Sequence, residues 1–396
     1  MNDRIIYYVW LICQVIIGYN LITPLILFLL SRLRKDPSPI SQERNPAEAD
    51  YGIIVTAYEE TALIPQLVDS LLSMNYSNFI VYIVADNCDV SDLTFENERI
   101  VVLRPEKIIA SNIGSHFYAI NRFKRNHERL TIIDSDNLVD KNYLNELNKF
   151  FDNGYQGVQG IRKPKNLDTT YSSLDALRDV YYHFYDGKIL FRLGSSSTLS
   201  GSGMAFSTDL YEECLRDHEI NKAGFDKVLQ FEIVSRGLRI AFAEKAIVYD
   251  EKTSKTSQLV KQRSRWIYTW FKYFNYGFKL IGKGFRNFNW NQFVFGITLL
   301  RPPLFIFLIM SVITMFLNFL LNPVIALIWA LALLIYVISF IIPFYYFPVD
   351  KRIKASMVYI PSFIYFQVAA LFKVKSIDQG SIATKHFHKD KSENIK

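Results

Sequence analysis

Asp134-Ser135-Asp136 sets two carboxylates either side of one serine, directly after the β-branched run Thr131-Ile132-Ile133. Paired oxygen donors at the end of a buried strand can hold a hard divalent cation, Mg²⁺ or Mn²⁺, and leave positions open for substrate phosphates. Further on, Gln262, Arg265 and Trp266 recur at i, i+3 and i+4, a spacing that puts all three on one face of a helix. That face offers an amide, a cation able to make charge-assisted hydrogen bonds to a diphosphate, and an aromatic plane able to stack on an apolar ring face. Asp86 lies in the turn-rich run Asp86-Asn87-Cys88-Asp89. It reads either as an Asx turn or as an acceptor-only carboxylate. Asp226, in Phe225-Asp226-Lys227-Val228-Leu229, stands where a helix-capping aspartate is expected. Gly201-Ser202-Gly203 follows a glycine- and serine-rich run, 194–200, and suits either a flexible loop or close approach of a ligand to the backbone.

Taken in order, Asp86, the Asp134/Asp136 pair, Asp226 and the Q-x-x-R-W run 262–266 resemble the family-2, GT-A-fold glycosyltransferases of the cellulose, chitin and hyaluronan synthase group. The resemblance spans Tyr51 to Trp270. It implies transfer of a sugar from a UDP-sugar to an acceptor at a membrane surface, with Mg²⁺ or Mn²⁺ as cofactor. It also assigns roles. Thr56, Tyr58 and Glu60 belong to the turn that holds the nucleoside, and Asp86 accepts the uracil N–H. Asp136 is the stronger metal ligand, and Asp134 lies closer to the nucleotide. Asp226 is the general base that takes the acceptor hydroxyl proton. Gly201, Ser202 and Gly203, with Gln262, Arg265 and Trp266, serve the acceptor and the diphosphate.

The chain departs from this pattern at four places. Thr56 replaces a usual Pro and Glu59 a usual Asn. Phe225 stands where an acid often precedes the catalytic Asp. His116, in Gly114-Ser115-His116, occupies the position of a frequent phosphate-holding Lys, so it is either a weaker donor-binding group or an ordinary helical histidine. No histidine spacing suits zinc. Lys252, Lys255, Lys261 and Arg263 are expected to face phospholipid or solvent.

Short β-branched runs alternating with amphipathic stretches from 51 to 276 predict the α/β domain that must carry these groups. Strands are expected at Ile53-Ile54-Val55, 79–85, 100–103 and 130–133, and helices at 61–74 and 111–123. The fold class expected is a mainly parallel sheet flanked by helices, with acidic residues at the carboxyl ends of strands, where open α/β sheets bind ligands. Around it the chain turns apolar. Residues 1–31 form an N-terminal anchor long enough for a bilayer core of about 30 Å. A linker covers 32–50, interfacial helices 277–300, a transmembrane hairpin 301–348, a third membrane or interfacial segment 349–372, and a basic tail 373–396. Arg32, Arg34 and Lys35, and later Lys351, Arg352 and Lys354, place the catalytic domain on the cytoplasmic side of a multi-pass protein (the inner membrane, if bacterial).

The 396 residues carry 15% aromatics and a formal charge of +7, with no basic helix interleaved with aromatics, which argues against nucleic acid. Three cysteines, Cys13, Cys88 and Cys214, share no metal spacing and no disulfide framework. The reading that results is an inverting membrane glycosyltransferase extending a polysaccharide or saccharide acceptor, assisted by an export partner or by homo-oligomerisation. Two rivals stand beside it: single transfer to a polyprenyl-phosphate or lipid-linked acceptor, and a non-catalytic nucleotide-sugar sensor or scaffold.

Overall fold

The computed structural model describes residues 2–37, 48–91, 93–218 and 224–373. Residues 374–396 of the basic tail, with His386 and His388, and Pro39 and Pro46 of the linker fall outside them. The strands are β1 (Tyr51–Tyr58), β2 (Phe79–Asp86), β3 (Ile100–Leu103), β4 (Arg129–Asp134), β5 (Leu138–Val139), β6 (Gly157–Pro164), β7 (Met204–Ser207) and β8 (Ile240–Asp250). They form one eight-stranded sheet in the order β3-β2-β1-β4-β7-β6-β8-β5.

Strands β3, β2, β1 and β4 run parallel. Both of their faces are covered, so β1 reads as an unbroken apolar run rather than an alternation. Ile53 and Val55 point to one side, against the helices Ile64–Leu72 and Tyr143–Phe151. Ile54 points to the other, with Ile132, Val228 and Leu229. This second layer fixes the helix Phe225–Ser235, which carries Asp226. The expected strands and helices of this half are present, with the two helices trimmed to Ile64–Leu72 and Asn112–Ile120. The other half is mixed: β7 lies antiparallel between β4 and β6, while β6 and β8 are parallel. In register, Thr56 faces Asp134 and Tyr58 faces Asp86, so three acidic or polar strand ends meet at one edge.

Among the described residues, four helices are long and apolar enough to cross a membrane: Arg4–Arg32, Leu304–Leu321, Pro323–Tyr346 and Lys351–Phe372. Asn322 makes the turn between the second and third, its side chain accepting the Val324 and Ile325 N–H groups. The helices Asn275–Arg286 and Trp290–Leu300 form a hairpin, and a Cβ at Gly277 would lie 2.7 Å from the Gly296 carbonyl oxygen. Buried Leu280 and Phe295 seat that hairpin on the Asp226 helix, while Phe278, Phe285 and Phe288 stay exposed.

Within the apolar bundle, Gln14 is the polar tie. Its Oε1 accepts hydrogen bonds from Asn318 Nδ2 and Trp329 Nε1, both at 2.9 Å. Replacing Gln14 by Leu leaves both donors short of an acceptor, and the expected destabilisation is about 1 kcal/mol, the range of polar contacts between membrane helices. Thermal unfolding of the purified protein checks this; an unchanged midpoint would mean that the tie contributes nothing.

Candidate active site

Asp134 is the last residue of β4, and Asp136 lies two residues on, in the turn to β5. A chain of side chains fixes that turn. Ser202 Oγ accepts the Asp134 N–H at 3.1 Å and donates to Asn137 Oδ1 at 2.6 Å. Asn137 Nδ2 in turn donates to Asp136 Oδ1 at 2.9 Å. Ser202 thus ties the carboxylate turn to the glycine loop rather than lining the cavity itself. Buried Gln159 orders the same loop, donating to the Ser202 and Gly203 carbonyls and accepting the Ser200 N–H. Gly203 has φ +65°, and a Cβ there would come within 2.9 Å of Val248, so only glycine fits. Sequence reasoning missed Gln159 and Asn137; a lone glutamine in the apolar strand Val158-Gln159-Gly160 was the available signal.

Asp226 sits in the first turn of its helix, but the capping position belongs to Gly224, with φ +103°. A Cβ on Gly224 would meet Thr269 at 2.5 Å and Tyr273 at 2.6 Å. Glycine therefore lets this helix abut the helix Thr256–Tyr273, which carries Gln262, Arg265 and Trp266. The Asp226 carboxylate pairs with Lys227 at 3.1 Å. Glu232, further along, pairs with Arg236 at 2.6 Å and does not line the cavity.

The helix Thr256–Tyr273 is held from behind by apolar contacts. Ile267 packs with Phe305 and Ala370, and Leu259 with Leu174 and Phe363. Arg265 is largely buried; burial lowers its pKa, and the nearby Asp134 carboxylate opposes that shift. Its guanidinium has no side-chain hydrogen bond or ion pair among the described residues, which leaves its donors available to a ligand. Trp266 has two cationic neighbours. The guanidinium carbons of Arg178 and Arg263 lie 3.8 and 4.2 Å from its ring centroid, within the range of cation–π attraction. These contacts hold the indole in the wall of the cavity that Gln262 and Arg265 also line.

Lys252 and Arg263 do not face lipid or solvent; each is 2% exposed. Lys252 is paired with Asp179 and Asp250, and Arg263 with Asp175. Burial alone would raise Asp179, but Lys252, Arg178 and Arg162 together hold it well below the usual carboxylate range. These partners come from the helix Thr170–Tyr182 and from β6 and β8, so the cluster locks the motif helix to the sheet. Next to it, His183–Ile189 is wound as a π-helix, a form frequent at functional sites. It presents His183 and Asp186 to the cavity, and Asp186 pairs with Arg301.

His116 is a second correction. It is 1% exposed, with Nδ1 2.7 Å from the Tyr211 hydroxyl and its ring 5.0 Å from Phe225. Burial pushes its pKa down to about 3, so it is neutral and cannot replace a phosphate-holding lysine. Two of the four departures from the family pattern, His116 and Phe225, therefore pack on one another. The linkage has a sign. An unfolded histidine protonates near 6.5, and folded His116 only near 3. Below about pH 6.5 the unfolded state binds the extra proton, so stability falls as pH drops. His116→Gln is expected to flatten the stability slope between pH 6.5 and 5 by about one proton, roughly 1.4 kcal/mol per pH unit. Equal slopes in both proteins would refute it.

Asp134, Gly201, Asp226, Gln262, Arg265 and Trp266 line one cavity of about 510 Å³, which also reaches Arg301 to Phe305 and Gln367. Thr56, Tyr58, Glu60, Asp86, Asp136, Ser202, Gly203 and His116 are not in its wall. Asp86 is buried and accepts the Ile109 and Ala110 N–H groups at 3.0 and 2.7 Å, shaping the segment that leads to Ser111 and Asn112 in the wall. Tyr58 and Glu60 flank Glu59, whose N–H is bonded to the Asp86 carbonyl at 3.2 Å. Two carboxylates at a strand end, Asp134 held through its backbone N–H and Asp136 through its side chain, suit Mg²⁺ or Mn²⁺, which take few protein ligands. Among the described residues no cluster of three or more histidine, cysteine or acidic side chains offers a fuller metal cage.

A family model described as glycosyltransferase like family 2 matches residues 47–269. A mannosyltransferase from Pyrobaculum calidifontis, PcManGT, solved with GDP-Man and Mn²⁺, aligns over 91% of this chain and 97% of its own at 14% identity, with a TM-score of 0.56. TarS from S. aureus, solved with UDP-GlcNAc, aligns over 82% of this chain and 89% of its own at 15% identity, with a TM-score of 0.42. None of the curated proteins matches the chain.

Proposed function

The chain belongs to the glycosyltransferase-like family 2, has the GT-A fold and is a glycosyltransferase; from that premise we propose that it moves a hexosyl or N-acetylhexosaminyl group from a UDP-sugar, with inversion, onto a saccharide at the cytoplasmic face of a membrane. The observation that carries this reading is the single cavity shared by Asp134, Asp226 and Arg265, which come from three separate elements of the chain. The cellulose, chitin and hyaluronan synthase-like subtype is part of the proposal, as is the division into 1–31, 32–50, 51–276, 277–300, 301–348 and 349–372.

In this mechanism Asp226 accepts the proton of the acceptor hydroxyl as that oxygen bonds to the anomeric carbon. The bond from the anomeric carbon to the donor phosphate oxygen breaks on the opposite face, and its electron pair leaves with the nucleoside diphosphate. Only one base is needed, because a single displacement inverts configuration. Arg265, fixed in a largely dry wall, stabilises the charge that develops on the diphosphate. Asp134 and Asp136 would hold Mg²⁺ or Mn²⁺, which supplies Lewis acidity to the leaving group. Thr56, Tyr58, Glu60 and Asp86 would contact the nucleoside from the strand ends beside that wall.

One observation favours a second acceptor class. The cavity reaches Leu304 and Phe305, the first residues of a candidate membrane helix, and Gln367 on another. A lipid-linked acceptor could present its hydroxyl or phosphate from that side. A saccharide polymer would call for an export partner or a second copy of the chain.

Release of nucleoside diphosphate by the purified protein in lipid nanodiscs tests the reading, with a donor panel that includes UDP-sugars and GDP-mannose and with Mg²⁺ or Mn²⁺. Metal-dependent release with one UDP-sugar, stopped by EDTA, is the expected result. Release with GDP-mannose alone would overturn the choice of nucleotide. Nucleotide binding without release, for every donor and with both lipid and saccharide acceptors, would favour the sensor.

A further inference from the structure

A second cavity, of about 650 Å³, lies behind the first, and Arg162 and His183 line both. Its walls come from the end of β6 and the residues after it, from β8, and from Phe347 to Ile353. That last segment joins two candidate membrane helices, so the cavity sits beside the level where the apolar bundle begins. The charges around it are unequal. Three carboxylates face it, Asp168, Glu244 and Asp350, and each is already engaged. Glu244 pairs with Lys188, Asp350 with Arg352 at 3.0 Å, and Asp168 accepts hydrogen bonds from Asn166 and Ser254.

The cations are not matched in the same way. Lys163, Lys165 and Lys245 line the cavity and form no ion pair among the described residues. Two residues of the wall, Lys165 and Arg162, each carry a buried nitrogen, Nζ and Nε, with no hydrogen-bond partner among the described residues. A buried ammonium without an acceptor is costly, and native proteins satisfy such groups. Arg162 reaches Asp179 and Asp250 only at 3.6 and 3.7 Å, which leaves hydrogen-bonding capacity unused. An acceptor-rich, multiply charged ligand would offset the charge of both groups, and lysine ammoniums bind phosphate as point charges.

We propose that this cavity is a phosphate-binding site distinct from the sugar-transfer cavity, with Lys165 and Arg162 at its floor and Lys163 and Lys245 at its rim. The ligand is a phosphate ester or free phosphate anion, and its two sources are an anionic lipid headgroup and a soluble phosphate. The experiment is thermal unfolding of the full chain in nanodiscs, with UDP and Mg²⁺ occupying the transfer cavity. One arm compares phosphatidylcholine with phosphatidylcholine containing phosphatidylglycerol; the other adds inorganic phosphate against chloride at equal ionic strength. The midpoint of the unsubstituted protein is expected to rise in one arm, which identifies the source, because a ligand that binds only the folded state stabilises it. That rise should fall by at least half in Lys163→Gln/Lys165→Gln/Lys245→Gln and persist in Arg265→Ala. If the triple variant does not fold, Lys163→Gln/Lys245→Gln, altered only at the rim, should still lose part of the rise. No rise in either arm, or equal rises in the unsubstituted and lysine-substituted proteins, would overturn the proposal.

Discussion

Asp226→Asn is expected to lower turnover by about a thousandfold, the middle of the range for loss of a general base, while nucleotide binding stays within a few-fold of normal. The substitution keeps the side chain's shape and removes its charge, and with the charge its ability to take a proton. The helix should survive it, because Gly224 occupies the cap and the one ion pair of Asp226 among the described residues is with Lys227. The other carboxylate on the same helix, Glu232, is tied to Arg236 outside the cavity and cannot substitute without breaking that pair. Single-turnover rates at saturating donor, beside a nucleotide-binding isotherm, separate chemistry from binding. Retention of more than a tenth of the turnover would place the base elsewhere, and loss of binding in parallel would make Asp226 a donor ligand.

The largest effect on stability is expected from Lys252→Met. Lys252 is enclosed by Asp179 and Asp250, with Arg162 and Arg178 around the same carboxylates. Burial would lower the lysine pKa, but Asp179 and Asp250 raise it instead. A raised lysine contributes stability that is complete below its unfolded value near 10.5 and lost only as pH rises through the folded value. At neutral pH the whole contribution is therefore present. Removing the ammonium leaves two buried carboxylates under-compensated, and breaking a buried pair costs about 3–5 kcal/mol. The remaining arginines set the expectation at the lower end of that range, a fall of several degrees in the unfolding midpoint. Lys252→Met/Asp250→Leu should recover part of the loss, because it removes one stranded charge together with its partner. A midpoint within a degree of normal for Lys252→Met would show that Arg162 and Arg178 carry the cluster without it.

The central strands and the order of motifs were legible because their signals are local. Ile53-Ile54-Val55 reads as a doubly covered strand, and an aspartate pair after Thr131-Ile132-Ile133 reads as a ligand site at its end, with no knowledge of distant residues. The i, i+3, i+4 spacing of Gln262, Arg265 and Trp266 likewise placed them on a helix, and all three reach the cavity. What failed was the surroundings of single side chains. Lys252 and Arg263 look like surface cations in the sequence; they are buried because Asp179 and Asp175, seventy to ninety residues earlier, meet them.

The sequence by itself determined the chemistry on offer: carboxylates at strand ends, a glycine loop, a cation and an aromatic on one helix face, and apolar stretches of bilayer length. Tertiary structure alone decided which of these groups share a cavity and which support it. Asp134, Asp226 and Arg265 were brought together, while Ser202 became a tie and His116 a core residue on Phe225. The physical reason is that a side chain's charge, exposure and free hydrogen-bonding capacity are set by the groups packed against it. In a sheet joined by long crossovers, those groups come from distant parts of the chain.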